Sequence, residues 1–162
     1  MEGNMNKKSK ASLRKNRTIH PIDIENLCLN SNPTIEQVQQ VRAEYFELVK
    51  PGPSDLFYVT VSSRHNLQSA LFGWPNAWHG CKEGHDGADI LLAKAMLEDD
   101  LETRFDGVVV ASGDGGLAPF VESLVGRIKS VVVVSQPSSI ALLMSKSGGS
   151  IRYLSSQFAL AA

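Results

Sequence analysis

A chain of 162 residues that is 43% hydrophobic and 20% charged is long enough for one substantial core and short for two. Two cysteines, Cys28 and Cys81, imply no disulfide framework, and without an apolar leader segment the expected setting is reducing and cytoplasmic. No apolar run approaches the roughly 18 residues of a membrane-spanning helix, so no membrane partner is expected.

The total charge of −1 conceals an asymmetry. Residues 1–18 carry Lys7, Lys8, Lys10, Arg14, Lys15 and Arg17 against Glu2 alone, a net of +5 that leaves −6 for the rest. This divides the chain into a basic arm (1–18), an acidic domain (19–154) and a short C-terminal tail (155–162). With little apolar surface to bury, the arm is expected to stay unstructured, either as a solubilising start or as cations laid along nucleic-acid phosphates.

In chain order, residues 18–23 read as a strand running into Asp23-Ile24-Glu25-Asn26. Side chains alternate in an extended segment, so Asp23 and Glu25 are expected on one side. Ile35, Val38, Val41, Tyr45 and Leu48 then recur at helical spacing, from an opening at Pro33 or Thr34 to the stop at Pro51-Gly52-Pro53. A second strand over 56–62, a short helix over 66–71, a third strand over 77–81 and a helix over 90–97 follow. Val108, Val109 and Val110 form a fourth strand, which breaks at Ser112-Gly113-Asp114-Gly115-Gly116 into a helix carrying Leu117, Phe120, Val121, Leu124 and Val125. A fifth strand over 130–135, a helix over 137–145 and a last strand over 151–154 complete the pattern. Alternating strands and helices predict an α/β fold, a mainly parallel central sheet between two helical layers.

Three carboxylates fall where such folds place their chemistry: Asp23 after the first strand, Asp89 at the start of the long helix and Asp114 after the fourth strand. Each also has a plain structural reading, as a helix cap or a turn residue. In a doubly wound sheet the first and fourth strands can be neighbours at the crevice beyond their carboxyl ends. Hard oxygen ligands converging there suit Mg²⁺ or Mn²⁺.

Three motifs now stand in order: Asp23-Ile24-Glu25-Asn26 ending a strand, Gly87-Ala88-Asp89 opening an apolar helix, and Ser112-Gly113-Asp114 ending another strand. In order and spacing they resemble the NYN-domain family, a branch of the PIN-like nuclease superfamily, over residues 19–154. The resemblance implies a three-layer PIN-like (Rossmannoid) domain with strand order 3-2-1-4-5 and a metal-dependent ribonuclease acting on single-stranded RNA. It further implies that Asp23, Asp89 and Asp114 hold the metal, with Glu25 as a fourth acid, while Asn26 and Ser112 orient ligands or phosphate. It leaves room for a homo-oligomer. Relatives usually carry a second acid two residues after Ser-Gly-Asp and another late in the long helix, where this chain has Gly116 and Ala95. A set thinned in this way favours one metal, weak activity or none.

Other readings stand beside this one. A non-catalytic member would bind RNA or a protein partner. Gly113-x-Gly115-x-x-Ala118 after a strand matches a dinucleotide-binding fingerprint, although no acid near 20 residues on is present to take a ribose hydroxyl. His79, Cys81 and His85 are zinc-compatible types without a fourth ligand in paired spacing. Trp74 and Trp78 are read as packing residues or as platforms for unpaired bases.

Overall fold

The computed structural model describes residues 16–98 and 100–155. Residues 1–15 of the basic arm, Asp99 and residues 156–162 of the tail lie outside the described residues. Six strands form: β1 (Thr18–Asp23), β2 (Leu56–Val61), β3 (Trp78–Cys81), β4 (Gly107–Ala111), β5 (Ser130–Ser135) and β6 (Ser150–Tyr153). The helices are α1 (Ile24–Cys28), α2 (Ile35–Val49), α3 (Leu67–Gly73), α4 (Gly87–Met96), α5 (Leu101–Arg104), α6 (Ala118–Val125) and α7 (Leu142–Ser145).

The strands make one sheet of order β3-β2-β1-β4-β5-β6, every neighbouring pair parallel. This is the expected 3-2-1-4-5 order with β6 added at the β5 edge. Period-two alternation divides the core. Val109 and Ala111 of β4 pack toward α1, α2 and α3, whereas Val108 and Val110 pack toward α4, α5, α6 and α7. The result is a three-layer α/β/α arrangement. Because the chain enters at β1, moves outward to β3 and then returns to β4 on the opposite side, the two halves diverge between β1 and β4. Loops beyond the carboxyl ends of those two strands therefore open a crevice.

At the other end of the sheet the foot of β1 is pinned by a buried network. His20 meets the Tyr45 hydroxyl through Nδ1 at 2.6 Å and the Asp55 carboxylate through Nε2 at 2.8 Å. Burial alone would raise the Asp55 pKa, but His20 and the backbone N–H groups of Thr18 and Gly52 outweigh it and hold the carboxyl below its ordinary value. Arg17 belongs to this end of the domain rather than to the arm: its Nε donates to Ser54 O at 3.3 Å and its guanidinium lies 5.1 Å from the centre of the Phe105 ring.

Two local expectations are corrected. The first strand does not extend through Glu25, because Asp23 caps a helix that begins at Ile24, its side chain accepting from Asn26 N. Asp23 and Glu25 therefore do not alternate as strand neighbours. The helix expected over 137–145 shrinks to α7, because Ala141 N donates to Gly113 O at 2.9 Å. That tie to the turn after β4 fixes 139–141 in a non-helical path.

Candidate active site

Asp23 is the last residue of β1 and only 8% exposed. Burial pushes its carboxyl pKa up to about 7; the N–H of Asn26 opposes this, and the negative charges of Asp89, Glu25 and Asp114 add to it. Asp89 lies in the first turn of α4. The helix can begin there because residue 87 is glycine: a Cβ at Gly87 would lie 1.6 Å from Lys82 O, so any side chain would push α4 away from the end of β3. Burial, and then the charge and hydrogen-bond proximity of Asp114, raise the Asp89 pKa to about 7 as well. Asp89 Oδ1 is buried without a hydrogen-bond partner among the described residues.

Asp114 is set by its own turn. Its carboxylate accepts from Gly116 N at 2.7 Å, and its N–H donates to Ser112 Oγ at 3.2 Å. Gly116, at the place where the resemblance leads one to look for a second acid, instead supplies a donor to the acid that is present. Asn26 Oδ1 accepts from Gly113 N at 3.0 Å, which joins the loop after β1 to the loop after β4 across the switch point. Gly113 has no room for a side chain: a Cβ would sit 2.4 Å from Ser135 Oγ and 2.6 Å from Ser139 O. The fingerprint glycine thus allows the segment after β5 to pass close by, and the space above it is filled by protein.

Glu25 has a different part. One carboxylate oxygen accepts from Ser62 N at 2.8 Å and from Ser62 Oγ at 2.7 Å, while the other accepts from Asn66 Nδ2. Asn66 Nδ2 also donates to Ser31 O at 2.7 Å. Glu25 thereby fastens α1 to the end of β2 and to the loop before α2, forming one wall of the site.

These residues rim a cleft of about 350 Å³ whose lining includes Asp23, Glu25, Asp86, Asp89, Asp114 and His85. Asp86 occupies the cap position of α4, yet its side chain makes no capping hydrogen bond. The exposed His85 imidazole has its pKa raised by a hydrogen bond to its own backbone and then by Asp86, whose carboxylate is 3.4 Å away. Ser112 is fully buried, and its hydroxyl accepts from the Asp114 N–H.

Among the described residues, no three His, Cys, Asp or Glu side chains are already gathered as a ligand set. The cleft is a ring of acids rather than a closed cage. Its chemistry nonetheless fits a hard divalent cation: the donors are carboxylate oxygens, one buried oxygen of Asp89 is unpartnered among the described residues, and the charge of Asp114 adds to burial in raising the Asp89 carboxyl. The zinc combination is not assembled in this way. His79 Nε2 is held by Ala70 O at 3.1 Å and Trp74 O at 2.8 Å, at the end of α3.

Ser62, Asn66 and Asp86 also belong to this site, with little sign of it in the sequence. A serine closing the apolar strand β2, next to the switch point, was the available signal for Ser62. Asn66 carried none, because its role depends on a contact 41 positions away with Glu25.

No family model matches the chain, and no curated protein matches it significantly. Among solved structures it is similar to a crystal structure of a protein of unknown function from Vibrio parahaemolyticus, with a TM-score of 0.59 and 14% sequence identity. That match covers 85% of this chain and 91% of the other. At such low identity the likeness bears on the α/β fold alone. Among the described residues no helix is long and apolar enough to cross a membrane.

Proposed function

We propose that this chain is a metal-dependent ribonuclease of the NYN/PIN-like type that hydrolyses phosphodiester bonds of single-stranded RNA. The observation that carries the reading is the Asp89–Asp114 pair. Asp114 adds its charge to the burial that raises the Asp89 carboxyl, both charges act on Asp23, and the three acids line one cleft, an arrangement that a cation neutralises.

Asp23, Asp89 and Asp114 are the residues that would hold Mg²⁺ or Mn²⁺. When bound, the ion supplies an activated water at neutral pH and offsets charge developing on the phosphate. The chain's own contribution is placement. The Asn26 N–H fixes the Asp23 carboxylate, the Gly116 N–H and Ser112 hydroxyl fix the Asp114 turn, and the Asn26 side chain sets the spacing between the two loops. Glu25 holds the wall upright through Ser62 and Asn66 and acts on geometry rather than on the phosphate. His85, at the mouth of the cleft, lies where a cationic imidazole would meet an incoming phosphate.

The test is cleavage of end-labelled single-stranded RNA in Mn²⁺ by the wild type, Asp89→Asn and Asp114→Asn, with EDTA as control. Cleavage by the wild type alone, lost in EDTA, is the expected result. Equal degradation by all three proteins would trace the activity to a contaminant and end the catalytic reading. RNA binding without cleavage would assign the chain to the non-catalytic class instead.

A further inference from the structure

The two tryptophans noted in the sequence have opposite fates. Trp74 is fully buried in the core against Tyr45 and Phe57. Trp78, the first residue of the edge strand β3, is 61% exposed. Four residues apart in the chain, one tryptophan packs the interior and the other leaves most of its ring in water.

Trp78 is also not an isolated surface residue. It pairs in register with Tyr58 of β2, and both line a cavity of about 470 Å³ between the sheet and α4. Ile19 of β1 and Leu91 and Ala95 of α4 complete its apolar walls, while Lys94, Glu98 and Arg104 stand around it. Arg104 is neutralised by Glu98 at 3.2 Å and Asp100 at 3.8 Å. Lys94 has no ion-pair partner among the described residues.

The cavity thus joins an exposed indole, a second aromatic ring and an ammonium with no ion pair among the described residues, in a volume within the usual range for small-molecule sites. An apolar partner side chain would use the aromatic walls and leave the ammonium idle. A planar group attached to a phosphate uses both. Position points the same way. Asp89, in the acid cleft, and Lys94, at the cavity, lie on one helix five residues apart, about 7.5 Å along its axis and about 140° around it. A strand that occupies both sites therefore passes around α4 and spans more than one nucleotide between them.

We infer that this cavity is a base-binding subsite, in which an unpaired nucleobase of a single-stranded RNA stacks on Trp78 while Lys94 meets the adjoining phosphate. The inference rests on the RNA reading of the acid cleft and extends it to how the substrate is held. Stacking on an aromatic platform accepts any base, so the subsite favours single strands over duplexes without selecting sequence.

The experiment measures the affinity of a fluorescein-labelled oligouridylate by anisotropy, in Ca²⁺, for the wild type, Trp78→Ala, Trp78→Phe and Lys94→Gln. Melting temperatures serve to confirm folding. Trp78→Ala is expected to weaken binding about 5- to 150-fold, and Trp78→Phe by clearly less. Lys94→Gln should flatten the salt dependence by about 0.7 log unit. A probe with abasic positions should bind the wild type as weakly as the full oligonucleotide binds Trp78→Ala. Unchanged affinity of a folded Trp78→Ala variant, whatever happens to its oligomeric state, overturns the subsite while leaving the RNA reading intact. A wild type that binds no RNA overturns both.

Discussion

Asp89 and Asp114 line one cleft so closely that the charge of Asp114 adds to burial in raising the Asp89 carboxyl to a pKa of about 7. This gives the protein a characteristic dependence on pH. The carboxyls of Asp23 and Asp89 titrate near 7 in the folded chain, raised from an ordinary value of 3.8. The fold binds those protons more tightly than the unfolded chain does. Their contribution to stability is therefore complete below the ordinary value and is lost as pH rises through 7.

In EDTA, the melting temperature should accordingly fall between about pH 5.5 and pH 8, and millimolar Mn²⁺ should restore it at the upper end. Asp89→Asn should raise the melting temperature at about pH 8 in EDTA and remove most of the response to Mn²⁺. A metal-free melting temperature that climbs across this range, measured by scanning calorimetry, would contradict the charge coupling.

A second expectation concerns Glu25, whose carboxylate receives Ser62 N, Ser62 Oγ and Asn66 Nδ2. Glu25→Ala leaves these donors to find partly buried substitutes, which should cost about 1–3 kcal/mol in urea denaturation. Were Glu25 a metal ligand, the same substitution would chiefly weaken the Mn²⁺ response and leave stability in EDTA unchanged. Measuring both quantities on one variant separates the two roles.

The third is steric. At Gly113 a Cβ would meet Ser135 Oγ at 2.4 Å, Ser139 O at 2.6 Å and Ile140 Cα at 2.9 Å, and two of these are backbone atoms. Gly113→Ala should therefore destabilise by about 1–3 kcal/mol, as overpacked positions do, and loosen the turn that carries Asp114. If Gly113 served instead to admit a pyrophosphate, the variant would remain stable while a stabilising effect of NAD(H) or NADP(H) on the wild type disappeared. Denaturation curves with and without the nucleotide decide between them.

How much of this was legible in the sequence depended on whether the cause was local. The bounds of β1 and β5 could be read directly, because apolar runs between polar breaks fix a strand without reference to the rest of the chain. The meeting of Asp23, Asp89 and Asp114 at one cleft was also legible, since the first and fourth strands of a doubly wound sheet can be neighbours at the switch point and the order of the three motifs resembles a family in which they are. The direction of Glu25 was not. It turned on whether Asp23 would cap a helix or continue a strand, and the same carboxylate chemistry serves both. The short α7 was hidden for a different reason: the hydrogen bond from Ala141 to Gly113 overrides local preference, and no window of sequence around residue 140 contains it. The separate fates of Trp74 and Trp78 likewise depended on which side of β3 the sheet ends.

The bond between Asn26 and Gly113 spans 87 positions, and this sets an order of events during synthesis. As the chain is made, β1, β2 and β3 are complete before β4 exists, so β1 can acquire its β2 partner while its other edge stays bare. Such an edge invites mispairing, and a nascent chain paused between Cys81 and Gly107 would carry it in an apolar strand destined for the centre of the sheet. The acid cleft is absent from every such intermediate, because Asp114 follows only after β4 has closed the gap. A ribosome-bound fragment ending before β4 should therefore depend on chaperones far more than the finished protein, and should show no response to divalent ions at any length.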